Sequence, residues 1–142
     1  MSGPKPQERD HPVHLQLTIL ATTRFDAMRR FYRGLTGWPA TAEAPNYVEL
    51  RPGPDAPGIA VYELESFLRN LDGPRPPAAP AGTQRTTELY LGVDDLPAAT
   101  ARAAALGGTV LGGPEPRGWG DVVQYVLDPD GNVCALARPS DG

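Results

Sequence analysis

The chain has 142 residues and a formal net charge of -4, with 40% hydrophobic and 21% charged residues. That length suits one globular domain able to fold without disulfides or a structural metal, and the acidic balance argues against a nucleic-acid partner, which calls for a basic patch. No apolar run is long enough to span a membrane, residues 1–12 read as a flexible polar arm without the apolar segment of a signal peptide, and the single cysteine, Cys134, excludes an internal disulfide, so a reducing, cytoplasmic location is expected.

His14 to Ala21 reads as a strand. Phe25, Met28, Phe31, Tyr32 and Leu35 then recur at spacings of three and four, which predicts a helix over 24–35 closed by Gly37. Trp38 follows as a core residue. Asn46 to Arg51 and Gly58 to Glu65 are predicted strands on either side of a Pro/Gly turn. Residues 72–85 are proline-rich and read as a stiff linker.

The pattern then restarts. Thr87 to Val93 is a predicted strand, and an alanine-rich helix over 96–106 is capped by Asp94 or Asp95 and ended by Gly107-Gly108. Thr109 to Leu111, Asp121 to Leu127 and Asn132 to Arg138 are strands, the last two joined by the turn Asp128-Pro129-Asp130-Gly131. Cys134 falls between Val133 and Ala135 and reads as a small core residue.

Strand, helix, strands, linker, strand, helix, strands is a duplication in element order. Gln16 is separated from Glu88 as Glu63 is from Ala135, while Leu35 to Leu106 and Gly37 to Gly108 are one residue shorter. An extra residue at the Thr22-Thr23 loop accounts for that slip. The expected architecture is α+β: a first module over 13–71, the linker, and a second module over 86–139.

The segments FDAMRRFYRGLTGW, ELYLGVDD, the helix ending LGG, and GWGDVVQYVLDPDGN resemble, in their order and spacing, the vicinal oxygen chelate superfamily. That superfamily includes glyoxalase I, bleomycin-resistance proteins, fosfomycin-resistance enzymes and ring-cleaving dioxygenases. The resemblance covers residues 13–138. It implies two tandem βαβββ modules whose curved mixed sheets line a concave cavity, and frequently a homodimer. It fixes no single activity, because the fold serves enzymes and binders alike.

Metal-using members place ligands on the first and last strand of each module. By the resemblance these positions fall on Gln16, Glu63, Glu88 and Ala135. Ala135 has no donor, and the other three lack an imidazole, so any ion they held would be a hard one. His14 is an alternative to Gln16. The expectation is therefore a cavity with no cofactor and no catalytic metal, the fallback metal set being Gln16, Glu63 and Glu88.

Strand alternation puts Gln16 and Thr18, Glu63, Glu88 and Tyr90, and Ala135 on the ligand face. Tyr62 should point away, under the helix. Tyr47 and Tyr125 are candidate rim residues. Trp119, between two glycines, is a candidate for stacking on a flat ligand. Paired acids at Glu63 and Glu88 would favour a basic or hydrogen-bond-donating ligand. The expected function is sequestration of a small natural product or antibiotic, basic or aromatic, with no nucleic-acid or membrane partner. The alternative is a divalent-metal enzyme of the glyoxalase or dioxygenase kind, or a metal-free one with Glu63 or Glu88 as general base. No Ser-His-Asp or Cys-His pattern and no phosphate-binding glycine loop is present.

Overall fold

A computed structural model describes residues 11–141. Most of the expected N-terminal arm lies outside that range. In chain order the elements are β1 (Leu17–Thr22), α1 (Phe25–Thr36), β2 (Ala40–Ala44), β3 (Tyr47–Leu50), β4 (Gly58–Glu63), α2 (Leu64–Arg69), β5 (Glu88–Gly92), α3 (Leu96–Ala105), β6 (Thr109–Pro116), β7 (Asp121–Leu127) and β8 (Val133–Pro139). They build two separate four-stranded sheets with matching strand orders, β1-β4-β3-β2 and β5-β8-β7-β6. In each, the first strand runs parallel to the last and the rest are antiparallel. This is the expected pair of α+β modules.

α1 forms where its apolar stripe predicts, and Met28, Phe31, Tyr32 and Leu35 are buried. Gly37 ends it in the left-handed region at φ 67, with its N–H donating to the Arg33 carbonyl at 3.0 Å; any residue with a Cβ is strained there. α3 starts at Asp95, whose carboxylate accepts from the Ala98 N–H at 3.0 Å.

Four elements depart from expectation. β1 starts at Leu17 and not at His14, so His14 and Gln16 precede the strand. β2 is absent from the sequence reading because ATAEA holds only alanines and polar residues, with no large apolar side chain, and is mostly exposed. β6 runs on to Pro116 through a bulge between Leu111 and Glu115. The strand read over Gly58–Glu65 stops at Glu63, where the chain turns into α2. Glu63 is the reason: its Oε1 accepts from the Ser66 N–H and Oγ and so starts a helix.

Helix-facing residues of both sheets close on one core. Val48, Leu50, Ile59 and Val61 of the first module share a cluster with Val126, Cys134 and Leu136 of the second, through Phe31 and Tyr32 of α1 and Ala99 and Ala103 of α3. The junction is tight: a Cβ on Gly108 would come within 2.8 Å of the Phe31 ring and the Ala103 carbonyl. A polar tie crosses it as well. Tyr32 Oη donates to Asp128 Oδ2 at 2.6 Å and lies 3.3 Å from Cys134 Sγ. Asp128 also accepts from the N–H groups of Asp130 and Asn132 and from the Asn132 amide. Burial, with Asp128 and Cys134 close by, holds the Tyr32 hydroxyl in its neutral form. Burial likewise pushes the Cys134 thiol up to about 11.

Candidate functional site

With the helix sides spent on the core, the opposite, open faces carry whatever chemistry the sheets offer. Cross-strand partners share a face. Leu20 packs on the core and pairs with Val61, so Thr18 and Glu63 lie on the helix side too. The open face of the first module belongs to Leu17, Ile19, Ala60, Tyr62, Tyr47 and Glu49. In the second module Cys134 and Leu136 face the core, which leaves Glu88, Tyr90, Ala135, Ala137, Val123 and Tyr125 on the open side.

The first module's register thus differs from expectation by one residue on β1, where Leu17 and not Gln16 matches Glu88, and by three on β4, where Ala60 and not Glu63 matches Ala135. Leu17 begins the β1–β4 ladder as Glu88 begins the β5–β8 ladder, and Leu17 to Glu88 is the same separation as Phe25 to Leu96. The first strand and the helix of each module keep a common offset, so no residue is inserted at Thr22-Thr23. Because side chains alternate, one residue of slip exchanges the two faces. Gln16 lies exposed ahead of β1 with its Nε2 3.2 Å from His14 Nε2. Glu63 is the cap of α2. Tyr62, expected under the helix, is on the open face.

Side chains of the first open face satisfy one another. Tyr47 and Tyr62 meet edge to face at 5.1 Å, and Ala60 beside them is fully buried. Glu49 accepts from Tyr47 Oη at 2.9 Å, Thr41 Oγ1 at 2.8 Å and Arg51 Nε at 3.0 Å. Arg51 also donates to the carbonyls of Ala56 and Gln16. The hydrogen bond from Arg51, with that from Thr41, holds the Glu49 carboxyl below its ordinary value. Burial, then the bond to Glu49, pushes Tyr47 up to about 12.

The second open face is different. Val123, Ala135 and Ala137 form a buried floor with Tyr125 packed on it. Tyr90, paired with Ala135, donates its hydroxyl to Asp121 Oδ2 at 2.5 Å, and Trp119 Nε1 donates to the same hydroxyl at 2.8 Å. The bond to Asp121 raises the Tyr90 pKa. Trp119 rides on a tight turn in which the Arg117 N–H meets the Asp121 carbonyl and the Gly120 N–H meets the Arg117 carbonyl. Its indole is 62% exposed yet held at the nitrogen. The Arg117 guanidinium lies over the Tyr125 ring, 5.3 Å from its centroid.

Glu88, Tyr90, Trp119, Tyr125 and Ala135 therefore gather on one face, Tyr47 stands on the other module's open face, and Gln16 and Glu63 stand on neither. Sequence reasoning missed the pairing of Glu49 with Arg51, and missed Arg117 and Asp121. Extending the alternation from Tyr47 through Glu49 to Arg51 would have found that pair.

A divalent ion does not fit these residues. The fallback set of Gln16, Glu63 and Glu88 is not assembled, because Glu63 faces the helices and is engaged with Ser66. With the register corrected, the positions that the resemblance assigns to ligands hold Leu17, Ala60, Glu88 and Ala135, a single carboxylate among apolar side chains. Among the described residues no three His, Cys, Asp or Glu come together as a metal-binding group. A hollow of about 330 Å³ does open at the module seam, lined by Leu35, Trp38, Leu91, Asp94 and Arg102 among others. It lies against the helices, away from the tyrosines and Trp119, and Asp95 on its rim is already spent as a cap.

The fold has relatives. A glyoxalase-related enzyme from Fulvimarina pelagi superposes with a TM-score of 0.70 at 21% identity, covering 88% of this chain and 87% of that one. A glyoxalase/bleomycin resistance protein/dioxygenase family enzyme from Burkholderia phytofirmans PsJN gives 0.72 at 19%, covering 90% and 100%. A glyoxalase/bleomycin resistance protein/dioxygenase from Nocardioides gives 0.70 at 18%, covering 93% and 87%. At these identities the likeness shows the fold alone. No curated protein matches the chain. The model of the glyoxalase-like domain matches residues 7–137, nearly the whole chain, and the chain accordingly belongs to the glyoxalase-like domain family within the vicinal oxygen chelate superfamily.

Proposed function

We propose that the open face of the second module binds a small planar aromatic molecule and that the protein acts by sequestering it, without a catalytic metal. One observation carries this reading: an exposed indole fixed through its nitrogen to Tyr90, beside a buried floor of small side chains. An exposed tryptophan loses hydration by stacking on a flat partner. Its tether reduces the conformational freedom lost when that partner arrives. Names of the structural relatives that include bleomycin resistance are in keeping with a binder, and the lack of an assembled metal-binding group among the described residues supports binding by shape and stacking.

Titration with planar natural products, naphthoquinones and bleomycin among them, tests it by Trp119 fluorescence and thermal shift. Binding is expected to quench the indole and raise Tm, and Trp119→Ala should weaken affinity by about 1–2 kcal/mol, the worth of a lost aromatic stack. Retention of a stoichiometric divalent ion through dialysis, or turnover of a bound ligand, would overturn the reading. The unpaired outer edges of β2 and β6 also lead us to expect a two-fold homodimer; a single monomeric species in sedimentation velocity at micromolar concentration would refute that part.

A further inference from the structure

Each module holds a Glu-x-Arg segment on its open face, from β3 in the first and from the end of β6 in the second, and the two are in opposite states. In the first, Glu49 and Arg51 stand 3.0 Å apart, and Arg51 spends further donors on two carbonyls. In the second, Glu115 pairs with Val123 across the β6–β7 ladder and so faces the open side, as Arg117 does over Tyr125. There the closest carboxylate oxygen is 3.9 Å from Arg117 Nη2, beyond hydrogen-bond reach, and Glu115 is 68% exposed. Arg117 Nε is buried with no hydrogen-bond partner among the described residues.

An arginine in this position is costly unless something uses it. A buried N–H without an acceptor has lost water and gained nothing. Stacking on Tyr125 occupies the face of the guanidinium and leaves its edge, the planar fork of donors, uncommitted. No protein hydrogen bond at Nε has to break for that fork to turn toward the solvent. The neighbouring acids do not neutralise it tightly: Asp121 takes the Tyr90 hydroxyl, and Glu115 points mostly into water.

Resting on the reading that this face binds an aromatic molecule, we infer that the molecule carries a carboxylate and that Arg117 receives it. The ring stacks at Trp119 and Tyr125 while the fork takes both carboxylate oxygens, a geometry that arginine matches and lysine does not. The expected preference for a basic ligand loses its support, because it rested on Glu63 and Glu88 sharing one face.

The test is a matched pair, 2-naphthoate and 2-naphthamide, with the same rings and different charge, each titrated against Trp119 emission. Wild-type protein should bind the naphthoate about tenfold more tightly, the scale of a charge-assisted pair over a neutral one. The ratio should shrink in high salt. R117Q should collapse the ratio to about one, and R117K should recover it only in part, with circular dichroism confirming that both variants fold. Equal affinity for the two ligands in the wild type, or an unchanged ratio in R117Q, overturns the carboxylate and leaves the aromatic reading standing. If neither ligand quenches Trp119, both readings fall.

Discussion

Tyr32 is where a single atom joins the two modules. Its hydroxyl gives Asp128 one of four hydrogen bonds and sits against Cys134. Tyr32→Phe keeps the ring packing and removes that one donor, so a loss of about 1–2 kcal/mol is expected by urea denaturation. Tyr32→Ala, which also empties a fully buried site, should cost about 3–5 kcal/mol. Cys134 is fully buried with its thiol raised to about 11, mainly by burial. At pH 8 it should resist a thiol reagent in the native state and react at once in guanidinium; rapid native labelling would show that the core is open. Glu49 gives a pH dependence of known sign. Its folded pKa lies below the ordinary value, so the stabilisation is full above about pH 4.3, the unfolded glutamate range, and is lost as pH falls through the depressed folded value. Glu49→Gln should flatten that acid limb of stability against pH.

Helix ends decide where the elements stop. Gly37 ends α1 in a conformation closed to other residues without strain, and Gly37→Ala should cost about 1 kcal/mol in thermal unfolding. Asp95→Ala removes the only side-chain cap of α3 and should cost about the same. Gly108 is of another kind. There the added methyl meets the Phe31 ring and two carbonyls under 3 Å, so Gly108→Ala forces the modules apart and should exceed both. The strands follow the same logic. NYVELR was legible because Val48 and Leu50 alternate with polar residues. β2 was not, since it holds no large apolar residue, and α2 was hidden although Leu64, Phe67 and Leu68 stand at helical spacing, because the preceding strand was read on to Glu65 and the cap at Glu63 shows only in the fold.

At the scale of the whole molecule the shared core makes one folding unit of two sheets. Phe31 is buried among residues of both modules and meets Tyr32 edge to face at 5.0 Å. Phe31→Ala should therefore lower the denaturation midpoint of the whole chain by about 3–5 kcal/mol, and tryptophan fluorescence and far-ultraviolet dichroism should report coincident transitions. Separate transitions would mean that the seam is weaker than its packing suggests. With the helix sides joined, the outward faces are the only broad sheet surfaces left for recognition. One is filled by its own tyrosines and the Glu49 network; the other holds up Trp119, Tyr90 and Arg117.

The duplication and the two main helices could be read from residue spacing, because periodicity and caps are local properties, and the superfamily came from the resemblance of the segments that carry them. So could the second module's open face, since Glu88, Tyr90 and Ala135 fall on alternate positions of strands whose register was right. What only the tertiary structure decided was the face of each residue in the first module and the fate of its charges. A strand exchanges its faces with one residue of slip, and matching Gln16 to Glu88 made that slip where Leu17 was the true counterpart. Whether a glutamate caps a helix, as Glu63 does, or is clamped by a neighbouring arginine, as Glu49 is, depends on partners brought near by folding, and no spacing along the chain encodes that.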